Sequence, residues 1–192
     1  MSRSNAHQVW IDAGYNLFAQ EGYDGIQIER LARIVGLNKS GFYHYFGDRE
    51  TYFQHLMQHH LLNADKVVEA VQSIHNFVPE YIQFLDSFRT PVLAHMQLVR
   101  ENHHPLFAYT FEEVNKKVDR AILPLWAVFI GLPENLDLAF RYFELFRDMF
   151  YARLNKHNLN YEMMFSICME AKDICHEFRN SYRGAVMAAK SA

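Results

Sequence analysis

The sequence predicts an all-α protein of about nine helices, on three observations. Val, Ile and Thr do not fall into alternating runs, and no Asn-Gly or Asp-Gly pair sits between such runs, so the strand and hairpin signals are missing. Glycine and proline divide the chain into helix-length pieces. Within those pieces apolar residues recur at three- and four-residue spacing.

The elements follow in order. A first helix is predicted over residues 5–20, with Val9, Ala13 and Leu17 on one stripe and Gly22 just past its end. Short helices follow over 28–35 and 39–45, separated by Gly36. Asp48 is a good N-cap for a long helix reaching about Ser73. Val78-Pro79 opens the second half. Thr90-Pro91 reads as an N-cap with proline at the first helical position, and His104-Pro105 opens another helix. Pro124 is expected to kink or break that helix, because it lacks an amide and clashes with the preceding turn. Gly131-Leu132-Pro133 is a stop. The last two helices are predicted over 134–156 and 161–182, joined by the polar stretch 155–160, with a frayed tail from Gly184.

Composition limits the class. Half of the 192 residues are hydrophobic and 15% are aromatic, which excludes a disordered chain. No apolar run approaches the ~18–20 residues of a membrane span. Met1 to His7 is polar and lacks the regions of a secretory signal, so a cytoplasmic location is expected. Cys168 and Cys175 stand seven residues apart on one predicted helix, roughly 10 Å along its axis at ~1.5 Å per residue. That is too far for a disulfide, and buried reduced thiols are expected.

The most informative stretch is 26–50. Ile28, Leu31, Ala32 and Val35 make an apolar stripe on a two-turn helix. Gly36 supplies a tight turn, Leu37 anchors it, and Asn38 caps the next helix. That helix turns Phe42 and Phe46 inward and leaves Lys39, Ser40, Gly41, Tyr43 and His44 outward. Such a pair of helices suits a DNA major groove, which accepts one helix whose N-terminal residues reach base edges. Gly41 permits close approach of backbone to DNA. Lys39 and Tyr43 reach phosphates, and His44 a phosphate or a base edge. Gln27 precedes a helix start whose amides favour a phosphate oxygen, and Arg49 lies on the same flank. Tyr45 and Phe46 read as packing residues, and Tyr23 as a staple of the first helix against the motif. The charge is not that of a basic binder: the whole chain carries −3, and residues 1–50 hold five Lys and Arg against six Asp and Glu. Contacts must therefore come from placed groups and not from a net field.

The runs Leu17-Phe-Ala-Gln-Glu-Gly-Tyr23, Ile26 to Leu31-Ala32, Gly36-Leu-Asn-Lys-Ser-Gly-Phe-Tyr-His-Tyr-Phe46 and Asp48-Arg-Glu50 resemble the DNA-binding domain of TetR-family transcriptional regulators. The likeness covers roughly the first 55 residues by motif. It implies a helix-turn-helix domain at 1–50 and a larger helical ligand-binding and dimerisation domain at 51–192. It also implies that Lys39, Tyr43 and His44 lie on the recognition helix and that Arg49 stands where the family has a phosphate-binding lysine. Three positions depart from the pattern: Gly41 replaces a Thr or Ser, Gln27 replaces a Ser or Thr cap, and Gly47 replaces a frequent Pro.

The second domain shows surplus apolar surface. The helix over 134–156 has one stripe at Leu136, Phe140, Phe143, Phe150 and Leu154 and another at Leu138, Tyr142, Leu145 and Met149. The last helix has a broad face that includes Ile167, Ala171, Ile174 and Phe178. A helix apolar on two sides must bury two sides. The expected interface is a homodimer through these last two helices, as the resemblance implies. Phe88, Met96, Phe107 and Phe111, with Trp126, Phe129, Phe146 and Phe150, are the candidate lining of a pocket for a small hydrophobic or aromatic effector. Glu112, Glu113, His103 and His104 are candidate polar anchors, with solvent exposure the alternative.

The expected function is a ligand-responsive regulator, by resemblance a repressor, that binds a palindromic operator as a homodimer and releases it on taking up the effector. Control by a protein partner or by a metal ion is the alternative. His55 and His59 have the i, i+4 spacing of two metal ligands, but no third ligand stands at a diagnostic distance, and no metal or cofactor is expected. An all-helical enzyme finds no support: there is no HExxH, no serine elbow and no pair of Glu-x-x-His motifs.

Overall fold

Side-chain acceptors set the helix starts. In the computed structural model, which describes the backbone of residues 3–190 and the side chains of 6–181, Asn38 Oδ1 accepts from the Gly41 amide at 2.9 Å and opens α3 (Lys39–Phe46). Asp48 Oδ1 accepts from the Thr51 amide at 2.7 Å and opens α4 (Arg49–Val71). Asn135 and Asn160 do the same for α8 (Leu136–Arg153) and α9 (Tyr161–Lys190). Each such cap stabilises its helix by ~1 kcal/mol. The other helices are α1 (Arg3–Gly25), α2 (Ile28–Val35), α5 (Ile82–Ser87), α6 (Arg89–Arg100) and α7 (Pro105–Phe129); a wide π-type turn over Phe77–Tyr81 leads into α5. Nine α-helices and no strand occur among the described residues, as the sequence predicts.

Four local expectations are corrected. Thr90 does not cap α6: the helix begins at Arg89, and Pro91 occupies its third position, where an amide has no intrahelical partner to lose. Pro124 does not break α7, which continues through it to Phe129. The helix predicted over 134–156 is shorter at both ends, because Asn135 takes the cap position and Leu154 is extended. The backbone of α9 continues past Gly184 to Lys190, over a segment in which three alanines favour helix.

The chain divides into two compact units, Met1–Glu69 with Phe88–Val118, and Ala70–Ser87 with Asp119–Ala192. The first unit is built on an aromatic core. Trp10 on α1 meets Phe42 on α3 edge-on at 5.5 Å between ring centres, and Tyr52 on α4 meets Phe42 and Phe46 at 4.9 and 4.8 Å. All four rings are buried. The Tyr52 hydroxyl donates to the Trp10 carbonyl at 2.6 Å, and only a glycine at position 14 leaves room for it: a Cβ there would lie 1.6 Å from that oxygen. At the far end of α1, Gln97 of α6 donates to the Ala19 carbonyl at 3.1 Å. Helix α1 is thus held against α4 at one end and α6 at the other.

The second unit is also aromatic at its centre. Trp126 stacks on Phe146 at 4.5 Å, contacts Phe77, Phe129, Tyr142 and Phe143, and donates its indole N–H to the Ala139 carbonyl at 3.0 Å. One charged pair lies inside: Arg147 donates to Asp119, and burial raises the Asp119 carboxyl to about 6 despite that partner.

Gly14→Ala is expected to destabilise the protein by about 1–3 kcal/mol, the usual cost of overpacking a filled core. Tyr52→Phe should recover part of the loss in the double variant. Urea unfolding measures both, and an unchanged midpoint in Gly14→Ala would refute the close approach.

Candidate nucleic-acid interface

Helices α2 and α3 form the site, and the turn between them is set by Gly36. Its φ of 69° is left-handed, and its amide closes the end of α2 on the Ala32 carbonyl. A side chain at that φ costs roughly 1–2 kcal/mol, so glycine is required there. Leu31 and Ala32 are buried under α2, and Phe42 and Phe46 under α3. With those four anchored, the opposite side of α3 faces outward. Asn38, Lys39, Ser40, Tyr43 and His44 are exposed, and Gly41 is half-exposed.

The interface has more internal pairing than the sequence suggests. Asn38 Oδ1 accepts from the Ser40 hydroxyl at 2.6 Å as well as from the Gly41 amide, so Asn38 and Ser40 are tied to each other. Lys39 donates to Glu29 of α2, and its ammonium lies 5.7 Å from the Tyr43 ring centre. That hydrogen bond holds the Glu29 carboxyl below its usual range and the Lys39 ammonium above its own. Arg30 pairs with Glu21 in the same way. Gln27 occupies the N-cap position of α2, is exposed, and makes no side-chain cap, so the first amides of α2 carry no side-chain acceptor from it. Gly41 needs no glycine for its own fold: a Cβ would meet only Asn38 Oδ1, at an ordinary 3.6 Å.

Arg49 is placed differently from the other cations. Its guanidinium lies 3.9 Å from the Tyr23 ring centre and 5.2 Å from that of Phe53, and one Nη donates to the Tyr23 carbonyl at 2.7 Å. Tyr23 itself stacks on Phe53 at 4.6 Å and donates to Glu50, the staple role its position predicts. Arg49 therefore anchors the end of α1, half-buried, whatever else it touches. Sequence reading missed this role because Tyr23 lies 26 residues before Arg49 and 30 before Phe53, and nothing in a helical period signals the stack.

The sequence that builds these two short helices is matched by known proteins. Residues 11–56 fit the model of the tetR family of bacterial regulatory proteins. Over this segment the chain is similar to that family. The HTH-type transcriptional repressor AcnR of Corynebacterium glutamicum is 29% identical over 65 residues, 34% of this chain and 35% of the relative. AcnR of Corynebacterium efficiens is 33% identical over 49 residues, 26% of each chain. An uncharacterized HTH-type transcriptional regulator of Bacillus subtilis, YwcC, is 29% identical over 58 residues, 30% of this chain and 26% of its own. The match thus spans about a third or less of these relatives.

The residues predicted for the second domain are dispersed. Phe107 is buried among Phe18, Tyr23 and Phe53, Met96 is buried, and Phe111 stacks on His95, all in the first unit, as is the half-buried Phe88. Trp126, Phe129, Phe146 and Phe150 share the aromatic cluster of the second. The eight do not line a single space within either unit. Glu112 and His103 are exposed, Glu113 is half-exposed and near Lys116, and His104 stacks on Phe107 at 4.4 Å. His55 packs on His7 and Phe46, while His59 packs on Tyr15. Of the dimer residues, Leu138, Leu145, Ile174 and Phe178 are exposed, with Leu145 at 70% and Phe178 at 74%. Tyr142 and Met149 are half-buried, but Ile167 and Ala171 lie within the unit's own core. An open groove of about 410 Å³ runs between α8 and α9, lined among others by Tyr142, Leu145, Met149 and Ile174.

Arg49→Lys is expected to lower stability by about 1–2 kcal/mol while preserving charge, because a lysine lacks the planar fork that stacks on Tyr23 and reaches its carbonyl. Thermal unfolding at neutral pH reads the loss; equal midpoints would show that Arg49 does not anchor α1.

Proposed function

We propose that the protein is a transcriptional regulator that binds duplex DNA with α3 in the major groove. The reading is carried by one observation: α3 is fixed by buried Phe42 and Phe46 and turns Lys39, Ser40, Tyr43 and His44 to solvent. A helix displayed in this way can enter a groove about 12 Å wide, with its first turn nearest the bases. Gly41, which packing does not require, lets the backbone come close. Lys39 and Tyr43 are phosphate contacts and His44 a phosphate or base contact; Gln27 and the amides of α2 take a phosphate oxygen. Asn38 and Ser40 shape the start of α3, and Arg49 contacts a phosphate only with the part of its guanidinium that Tyr23 does not hold.

The names of the relatives support repression as the mode. A homodimer supplies the second recognition helix, and the exposure of Leu138, Leu145, Ile174 and Phe178 supports α8 and α9 as the contact, since large exposed apolar side chains mark interaction surfaces when they cluster. The domain boundary near residue 50, an apolar or aromatic small-molecule effector, and a non-catalytic role in the cytoplasm complete the proposal.

A gel shift with the DNA upstream of the chain's own gene tests the recognition helix. The double substitution Lys39→Ala with Tyr43→Ala should weaken binding by at least about tenfold and reduce the salt slope by roughly one to two phosphates. Binding equal to the parent would remove α3 from the interface. For the dimer, Leu145→Glu with Phe178→Glu is expected to give a monomer of unchanged helix content in sedimentation, and a surviving dimer would place the contact elsewhere.

A further inference from the structure

Four polar side chains are buried in a row across the first unit, with a fifth beside them. The Tyr15 hydroxyl on α1 lies 2.6 Å from His60 Nδ1 on α4. His60 Nε2 lies 3.2 Å from His95 Nδ1 on α6, and His95 Nε2 lies 3.1 Å from Asn115 Oδ1 on α7. Asn63 stands beside the Tyr15 hydroxyl, its own Oδ1 taken by Lys66 at 3.0 Å. Tyr15, His60, Asn63, His95 and Asn115 are each less than 9% exposed.

The order of protons along the row follows from its ends. Asn115 Oδ1 only accepts, so His95 carries its proton on Nε2 and accepts at Nδ1. His60 then donates from Nε2 and accepts at Nδ1 from the Tyr15 hydroxyl. Every group is satisfied, and both imidazoles are neutral. One more proton has no place: on His60 Nδ1 it meets the Tyr15 hydroxyl proton, and on His95 Nδ1 it meets the N–H of His60. Reversing the row would turn the Tyr15 hydroxyl proton away from His60 and require a new acceptor for it, and Asn63 Oδ1 already accepts from Lys66.

The geometry points to a proton-sensitive tie: the Tyr15–His60–His95–Asn115 row holds α1 to α4, α6 and α7 while both histidines are neutral, and protonation releases it and weakens duplex binding. Its effect on DNA rests on the reading of α2 and α3 proposed above, since α1 packs directly on them. The ionisable groups facing the row are Tyr15 from α1 and His59 from α4, with Asp12 and Lys66 acting on His59. Burial first, then His95 and His59, holds His60 well below the ordinary 6.5. The unfolded chain therefore takes up a proton that the folded unit refuses, so this contribution is full above about 6.5 and is lost as pH falls below it. Asp119 of the second unit, raised to about 6, titrates over the same pH range with the opposite sign, so the difference between proteins is the informative quantity.

The test compares the wild-type protein with His60→Gln/His95→Gln, whose amides keep one acceptor and one donor each but do not titrate. Thermal midpoints are followed from about pH 7.5 to 5, with binding of the upstream duplex at constant ionic strength. The wild type should lose stability relative to the variant below about pH 6.5 and bind roughly tenfold more weakly at the acid end, the equivalent of about one pKa unit. Parallel stability profiles would overturn the tie, and parallel binding profiles would overturn its link to DNA. Absence of duplex binding by either protein at neutral pH would count against the DNA reading alone, with the stability profiles still deciding the tie. If the variant does not fold, imidazole nitrogen NMR of the wild type decides. Both rings should be Nε2–H tautomers at neutral pH, and their titration should speed amide exchange in α1. Another tautomer, or titration without that change, would overturn the proposal.

Discussion

The outward display of α3 depends on the burial of Phe42 and Phe46. These two rings are four residues apart, so both lie on one side of a two-turn helix, and Trp10 and Tyr52 receive them. A helix of eight residues is not stable by itself in water, and the aromatic contacts supply what its length does not. Gly14 and Gly36 serve the same constraint in different ways. One clears space for the Tyr52 hydroxyl, and the other lets the chain reverse between α2 and α3. The Asn38 cap then fixes where α3 begins, and with it which residues face out.

The electrostatics of the site are those of exchange. Lys39 is paired with Glu29, Arg30 with Glu21, and Arg49 is held on Tyr23. A phosphate approaching Lys39 must displace a carboxylate, and a solvent-exposed pair of that kind contributes little. The exchange is therefore cheap at contact, while the carboxylates cancel attraction at a distance. This accords with the proposal of a near-neutral domain whose DNA contacts come from a few placed groups.

Much of this was legible in the sequence. The bounds of α2 match the prediction, because Gly36 and the stripe Ile28, Leu31, Ala32 and Val35 are both local signals. The inward pair and the outward face of α3 follow from helical period alone. What was hidden depends on chain segments distant in sequence: the stack of Arg49 on Tyr23, the clearance of Gly14, and the row from Tyr15 to Asn115. A histidine buried across four helices has no periodicity to reveal it. The aromatic residues read as one pocket lining fall into two cores, since ring-rich composition says nothing about which rings meet. Ile167 and Ala171 share a helical stripe with Ile174 and Phe178, yet the inner pair is buried within the unit and the outer pair is not.

Hydrogen exchange on the protein bound to duplex fragments selected from genomic DNA tests the central claim most directly. The account predicts slowed exchange in residues 38–46 and at the first amides of α2, with the exposed side of α3 screened from solvent. Protection elsewhere, with α3 exchanging as it does in the free protein, would contradict it.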